Sequence, residues 1–180
     1  MTGPDQRIVL APADGSLGPL LRIADDRLAP GTGYGRHEHR DVDVVAVVLA
    51  GSLRHSWGPG AELTAGDVAV LRAGTGLTHD EVAGDDGARV LQCYLRSAAP
   101  SAAPRYEVHR AASGWVNLDR PDVRLWLARV APGATVPAGL LVLRGVQRVL
   151  VEQQPGRVVD EPGVALVWQL DDARPAWARD

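Results

Sequence analysis

Residues 30–41 read Pro30-Gly31-Thr32-Gly33-Tyr34-Gly35-Arg36-His37-Glu38-His39-Arg40-Asp41. Residues 73–81 read Ala73-Gly74-Thr75-Gly76-Leu77-Thr78-His79-Asp80-Glu81. Each stretch follows a glycine-rich run with two metal-ligating side chains at i and i+2. An extended backbone points such a pair to one face. If the two pairs sit on facing strands of a barrel, His37, His39, His79 and Glu81 converge on one point. Glycines ahead of each pair let the chain turn sharply as it delivers the side chains inward. Three imidazoles and a carboxylate supply four ligands, which leaves two positions of an octahedral ion open. An H-x-H by itself is a common surface pattern; the paired arrangement and its glycine frame give it weight.

Working outward, short β-branched runs lie between scattered turn residues, with 20 glycines and 13 prolines in the chain. Val42–Leu49, Val68–Leu71, Ala88–Leu95, Val123–Val130, Leu140–Leu143, Val146–Val151 and Val164–Leu170 read as strands. No segment keeps a 3.6-residue apolar period over three turns, so helix is minor. The fold class is therefore all-β. Residues 97–104, Ser-Ala-Ala-Pro-Ser-Ala-Ala-Pro, lack core side chains and read as an extended break. They divide the chain into residues 1–97, a linker at 98–105, and residues 106–180. An Ala-Pro-Gly turn precedes an apolar run in both halves, at Ala29-Pro30-Gly31 and Ala131-Pro132-Gly133. This hints at a duplicated barrel.

Composition excludes several classes. A single cysteine, Cys93, rules out a disulfide framework and a Cys-rich zinc site, and reads as a buried apolar residue. Net charge is -3 and the arginines form no stripe, so nucleic acid is not an expected partner. No run of roughly 18 apolar residues is present, so no membrane partner is expected either. The N-terminus lacks a basic start and apolar core, which predicts a cytoplasmic protein. Nitrogen and oxygen donors without sulfur suit Fe(II), Mn(II), Ni(II), Cu(II) or catalytic Zn(II). His55 reads as a structural or surface residue and His109 as a surface one. Trp57, Trp115, Trp126, Trp168 and Trp177 read as packing residues.

These motifs resemble the cupin signature, G-x5-H-x-H-x3-E, with Gly31, His37, His39 and Asp43 at its positions. Its second motif runs from Gly66-Asp67 to His79. The match is nearer to the pirin family, whose members carry APGTGFG, then H-P-H-R-D, and later A-G-x-G-I-x-H-S-E. It covers residues 18–96 and continues more weakly from Ser113 to Leu170. The resemblance implies two cupin-type β-barrels, a bicupin, whose second barrel is short, degenerate and metal-free. It implies one metal, usually iron, on His37, His39, His79 and Glu81, with Fe(II) the first expectation. Glu38 stands where the family has proline, and Asp43 replaces the first-motif glutamate without being a ligand.

The resemblance also implies an activity. Several bacterial members cleave quercetin with dioxygen, so the leading expectation is a dioxygenase acting on a flavonol or related enolisable aromatic. Glu81 would then be both ligand and general base. A second expectation is a non-catalytic iron- or redox-sensing regulator that binds a protein partner, as the animal member does. A third is a non-oxidative cupin, an isomerase or small-molecule binder. A two-barrel chain satisfies alone what single cupins satisfy by dimerising, which predicts a monomer.

Overall fold

A computed structural model describes residues 3–12, 16–145, 149–154 and 156–171. They contain strands and turns and no helix, in agreement with the all-β expectation. Every strand expected from the sequence lies within an observed one, apart from 146–148, which fall outside the described residues, as does Trp177. The chain forms two compact units.

The first unit takes described residues 3–12 and 20–111. Its strands are β1 (Asp5–Leu10), β2 (Leu20–Leu28), β3 (His37–His39), β4 (Val42–His55), β5 (Ala61–Thr64), β6 (Val68–Arg72), β7 (Leu77–His79), β8 (Glu81–Arg96) and β9 (Arg105–His109). The large antiparallel sheet has the order β1-β2-β8-β4-β6-β9, with β5 also on β4; β3 and β7 pair separately. Strands β4 and β8 are long enough, at 14 and 16 residues, to serve two neighbourhoods. Their shared register slips between Val48 and Ala50 and again between Gly51 and Leu53. Gly51 makes this bend with φ +68, and a Cβ there would lie 2.0 Å from the Gly87 carbonyl oxygen. Before the bend β4 pairs with β6; after it, β4 pairs with β5, and His55 comes opposite Glu81. Alternation then sorts the side chains. Val48, Leu53, Leu63 and Val90 form one apolar cluster, and Val44, Leu71, Ala73 and Leu77 form another.

The second unit takes described residues 16–19 and 112–171. Its strands are β10 (Gly114–Val116), β11 (Val123–Val130), β12 (Thr135–Val136), β13 (Gly139–Arg144), β14 (Val149–Gln154), β15 (Arg157–Val158) and β16 (Gly163–Leu170). The sheet order is β10-β11-β16-β13-β14, and β12 pairs with β15. Val130, Val136, Leu141, Leu143, Val159, Ala165 and Val167 fill its core. Trp126 packs against that core, Trp168 is fully buried, and Trp115 is exposed beneath the Arg124 guanidinium.

The division expected at 98–105 is placed differently. Arg105–His109 is the edge strand of the first sheet, paired with β6 from Val68↔His109 to Arg72↔Arg105. The small residues before it supply backbone rather than side chains: the Thr75 amide donates to the Ala102 carbonyl at 3.0 Å. Absence of core side chains made this stretch read as a linker, yet the first unit continues to residue 111.

Candidate metal centre

Alternation along each strand sets which side chains share a face. In β3 the pattern is half-buried, exposed, half-buried, so His37 and His39 share a face and Glu38 points outward toward Arg40. In β7 Leu77 and His79 are buried while Thr78 is exposed. The register then adds what spacing could not supply. His37 is the Cα partner of His79 across the β3–β7 ladder. The frame glycines have separate jobs. Gly31 and Gly35 turn the chain with φ +65 and +72. Gly33 bridges to Val82, and a Cβ on it would fall 2.2 Å from the Glu81 carbonyl oxygen. Only glycine lets the chain cross so near to β8.

Three Nε2 atoms converge. His37 Nε2 lies 3.0 Å from His39 Nε2 and 3.0 Å from His79 Nε2, and donor atoms of all three fall within 4.8 Å of one another. Two nitrogens at about 2.0–2.1 Å from one ion and at right angles to each other stand about 3 Å apart. The donor set therefore fits a divalent ion. His39, half-buried, and His79, buried, are held neutral, with pKa lowered to about 4 and about 3 chiefly by desolvation and further by neighbouring imidazoles. Neutral imidazole is the form that ligates a metal. His37 Nδ1 donates to the Gly35 carbonyl at 2.7 Å, which leaves its Nε2 lone pair bare.

Glu81 stands beside this group rather than within it. It is buried, and its Oε2 accepts from Gln92 Nε2 at 3.1 Å. Burial lifts its pKa to about 7, against the Gln92 hydrogen bond, with Asp26 and Asp80 adding to the rise. Asp43 is buried in β4 and is not among the clustered donors. Cys93 is fully buried, and burial pushes its thiol pKa well up, as befits an inert core residue.

Several residues of the site escaped the sequence reading. Of the structural and surface alternatives for His55 the structure shows the buried one: it is 2% exposed, and its Nε2 is 2.7 Å from His79 Nδ1. A signal was present: Leu53 and His55 share one strand face, and Leu53 points into the core. All three tyrosines of the chain also gather here. Tyr34 is tilted on His37 with ring centroids 6.2 Å apart, Tyr94 lies 5.9 Å from His39, and Tyr106 stacks on His55 at 4.1 Å. Gln92 is a polar residue in an apolar strand and 1% exposed, the usual mark of a functional or networked group. His109 is half-buried at the end of β9, remote in register from the ladder that carries the triad.

An all-β unit thus brings three imidazoles together with the spacing of a candidate metal-ligand set. Residues 12–95 match the family described as Pirin. A quercetin 2,3-dioxygenase of Escherichia coli K12 is 32% identical over 111 residues, 58% of this chain. The match spans 48% of that relative, about half its length. The crystal structure of YhhW from E. coli shares the fold with a TM-score of 0.74 at 21% identity, over 96% of this chain and 92% of that one. A second structure, described as bacterial pirin YhhW in complex with nickel(II), gives 0.72 at 20% identity over 95% and 93%. Among the described residues no helix is long and apolar enough to cross a membrane.

Proposed function

We propose that the chain is a pirin-like bicupin holding one divalent ion, Fe(II) foremost, on His37, His39, His79 and Glu81. We propose further that it is a dioxygenase that opens a flavonol or related enolisable aromatic with dioxygen. The observation that carries the reading is the convergence of three imidazoles at 3.0 Å, with the buried Glu81 carboxyl two residues after His79. When bound, the ion would polarise the substrate oxygen and provide the redox centre that dioxygen chemistry requires.

The chain's own residues supply the rest. A general base must lie within hydrogen-bond reach of the proton it takes, and Glu81 is the buried carboxyl next to the histidine ladder. It would accept the substrate hydroxyl proton and leave an anionic oxygen beside the imidazoles. Gln92 orients the carboxyl by donating to Oε2. Tyr34 and Tyr94 flank the histidines, and the Arg22 guanidinium lies over the Tyr94 ring. The quercetin activity in the name of the E. coli relative supports the substrate class.

The test loads the purified chain separately with Fe(II), Mn(II), Ni(II) and Cu(II), adds quercetin in air, and follows flavonol absorbance and carbon monoxide. The expected result is loss of absorbance with release of carbon monoxide, abolished in Glu81→Gln. Absence of turnover with every metal would remove the flavonol dioxygenase reading.

A further inference from the structure

Three candidates lie outside the proposed ligands: the buried polar chain Gln6–Asp26–Tyr34, the exposed Trp115 beneath Arg124, and the buried pair His55–Tyr106. The third has the most specific geometry. We infer that His55 is a positioning residue for the metal centre: it accepts a hydrogen bond from His79 Nδ1–H, fixes the tautomer that leaves His79 Nε2 free to ligate, and is itself clamped by Tyr106. This rests on the reading of His79 as a ligand.

His79 has two ring nitrogens with separate tasks. Nε2 points at His37 Nε2, 3.0 Å away, and Nδ1 points at His55 Nε2, 2.7 Å away. A neutral imidazole that ligates through Nε2 must carry its hydrogen on Nδ1. That hydrogen needs an acceptor, and His55 Nε2 is the group in place. His37 solves the same problem differently, by donating Nδ1–H to the Gly35 carbonyl. A carbonyl can only accept, so it fixes the tautomer of His37 outright. His55 could accept or donate, so metal at the triad selects the direction. His55 then keeps its own hydrogen on Nδ1, which is buried and has no hydrogen-bond partner. An orphaned buried nitrogen is a cost that packing alone would not retain.

The ring is held from two sides. Tyr106 lies flat on it, with centroids 4.1 Å apart and planes 10° from parallel. The backbone sets its height, since His55 is the Cα partner of Glu81 across the β4–β8 ladder. One strand position thus stands opposite the carboxylate and against the histidine on the far side of Asp80. Outer partners of ligating histidines are worth about 10–100-fold in metal affinity.

Zinc, which is diamagnetic, serves as the probe. Zinc affinity is measured by chelator competition for the wild-type chain, His55→Leu and His55→Gln, with circular dichroism to check folding. The Leu variant should bind about 10–100-fold more weakly. The Gln variant, whose Oε1 can accept from His79 Nδ1–H, should recover most of that loss. In the zinc-loaded, nitrogen-15-labelled wild type, a scalar coupling should cross from His79 Nδ1 to His55 Nε2, with the hydrogen on the His79 side. Wild-type affinity in a folded Leu variant would overturn the role of His55 and leave the metal reading intact. Absence of the coupling in the loaded wild type would do the same without any substitution. A wild-type chain that takes up no zinc would overturn both.

Discussion

In the first unit the turn at Ala29-Pro30-Gly31 leads into β3, which carries His37 and His39. In the second the turn at Ala131-Pro132-Gly133 leads into β12, which carries Thr135 and Val136. The turns are alike in detail. Thr32 and Ala134 each donate an amide three residues back, to Ala29 and Ala131, at 3.0 and 3.1 Å. Gly31 and Gly133 both have positive φ, +65 and +88. The strand orders also correspond, with β2-β8-β4-β6 in one unit and β11-β16-β13-β14 in the other. Each unit has a two-stranded accessory sheet, β3–β7 or β12–β15. The payload differs. One accessory sheet pairs His37 with His79; the other pairs Thr135 with Val158. Val136 and Val159, each 1% exposed, help close the second interior with apolar side chains. The same scaffold thus yields a chamber lined by imidazoles and phenols or a dry core, according to the few residues after the turn.

The largest expected effect breaks this contrast at its source. Replacing both His37 and His79 by alanine removes two of the three converging nitrogens. Metal affinity should then fall by more than the roughly 100-fold that loss of an outer partner can cost. Metal content after dialysis, by elemental analysis, reads the result. Retention of the wild-type complement would mean that the chamber is not the metal site.

The second substitution probes the dry side. Leu141 is fully buried in the β13 core, so Leu141→Ala should destabilise the second unit by about 2–5 kcal/mol. Denaturant unfolding measures the loss, and zinc competition on the folded variant should give the wild-type affinity. A parallel collapse of metal binding would show that the two interiors depend on each other.

The smallest effect is a matter of pH. Asp67 ends the β5–β6 turn, accepts from the Thr64 and Ala111 amides at 2.9 Å each, and pairs with Arg110 at 2.7 Å. These partners outweigh its desolvation and hold its pKa below the ordinary carboxylate value. A depressed folded pKa contributes stability above the unfolded value of about 3.9, and that stability is lost as pH falls through the folded value. Asp67→Asn should therefore melt below wild type at pH 7, with the gap closing below about pH 4. Thermal melts across that range check the sign; a gap that widens in acid would contradict it.

Much of this was legible residue by residue. Val123–Val130 is a strand with the bounds its β-branched alternation suggested. The inward face of His37 and His39 and the outward face of Glu38 followed from period two. Other readings failed where the decisive contact was distant. Residues 98–105 looked like a linker because most of their side chains are small, but Arg105 already opens β9, which pairs with β6. His55 read as a structural or surface residue, and its hydrogen bond to His79 was out of reach because the two lie on different strands.

The sequence by itself determined which side chains share a strand face, where the chain must turn, and that one half holds the nitrogen donors. These are local properties, set by alternation and by glycine's conformational range. Only the tertiary structure decided that His37 faces His79, that His55 stands opposite Glu81, and that three tyrosines scattered along the chain meet at one site. Cross-strand register decides those meetings, and a slip of one residue would turn every side chain to the other face without altering the local pattern.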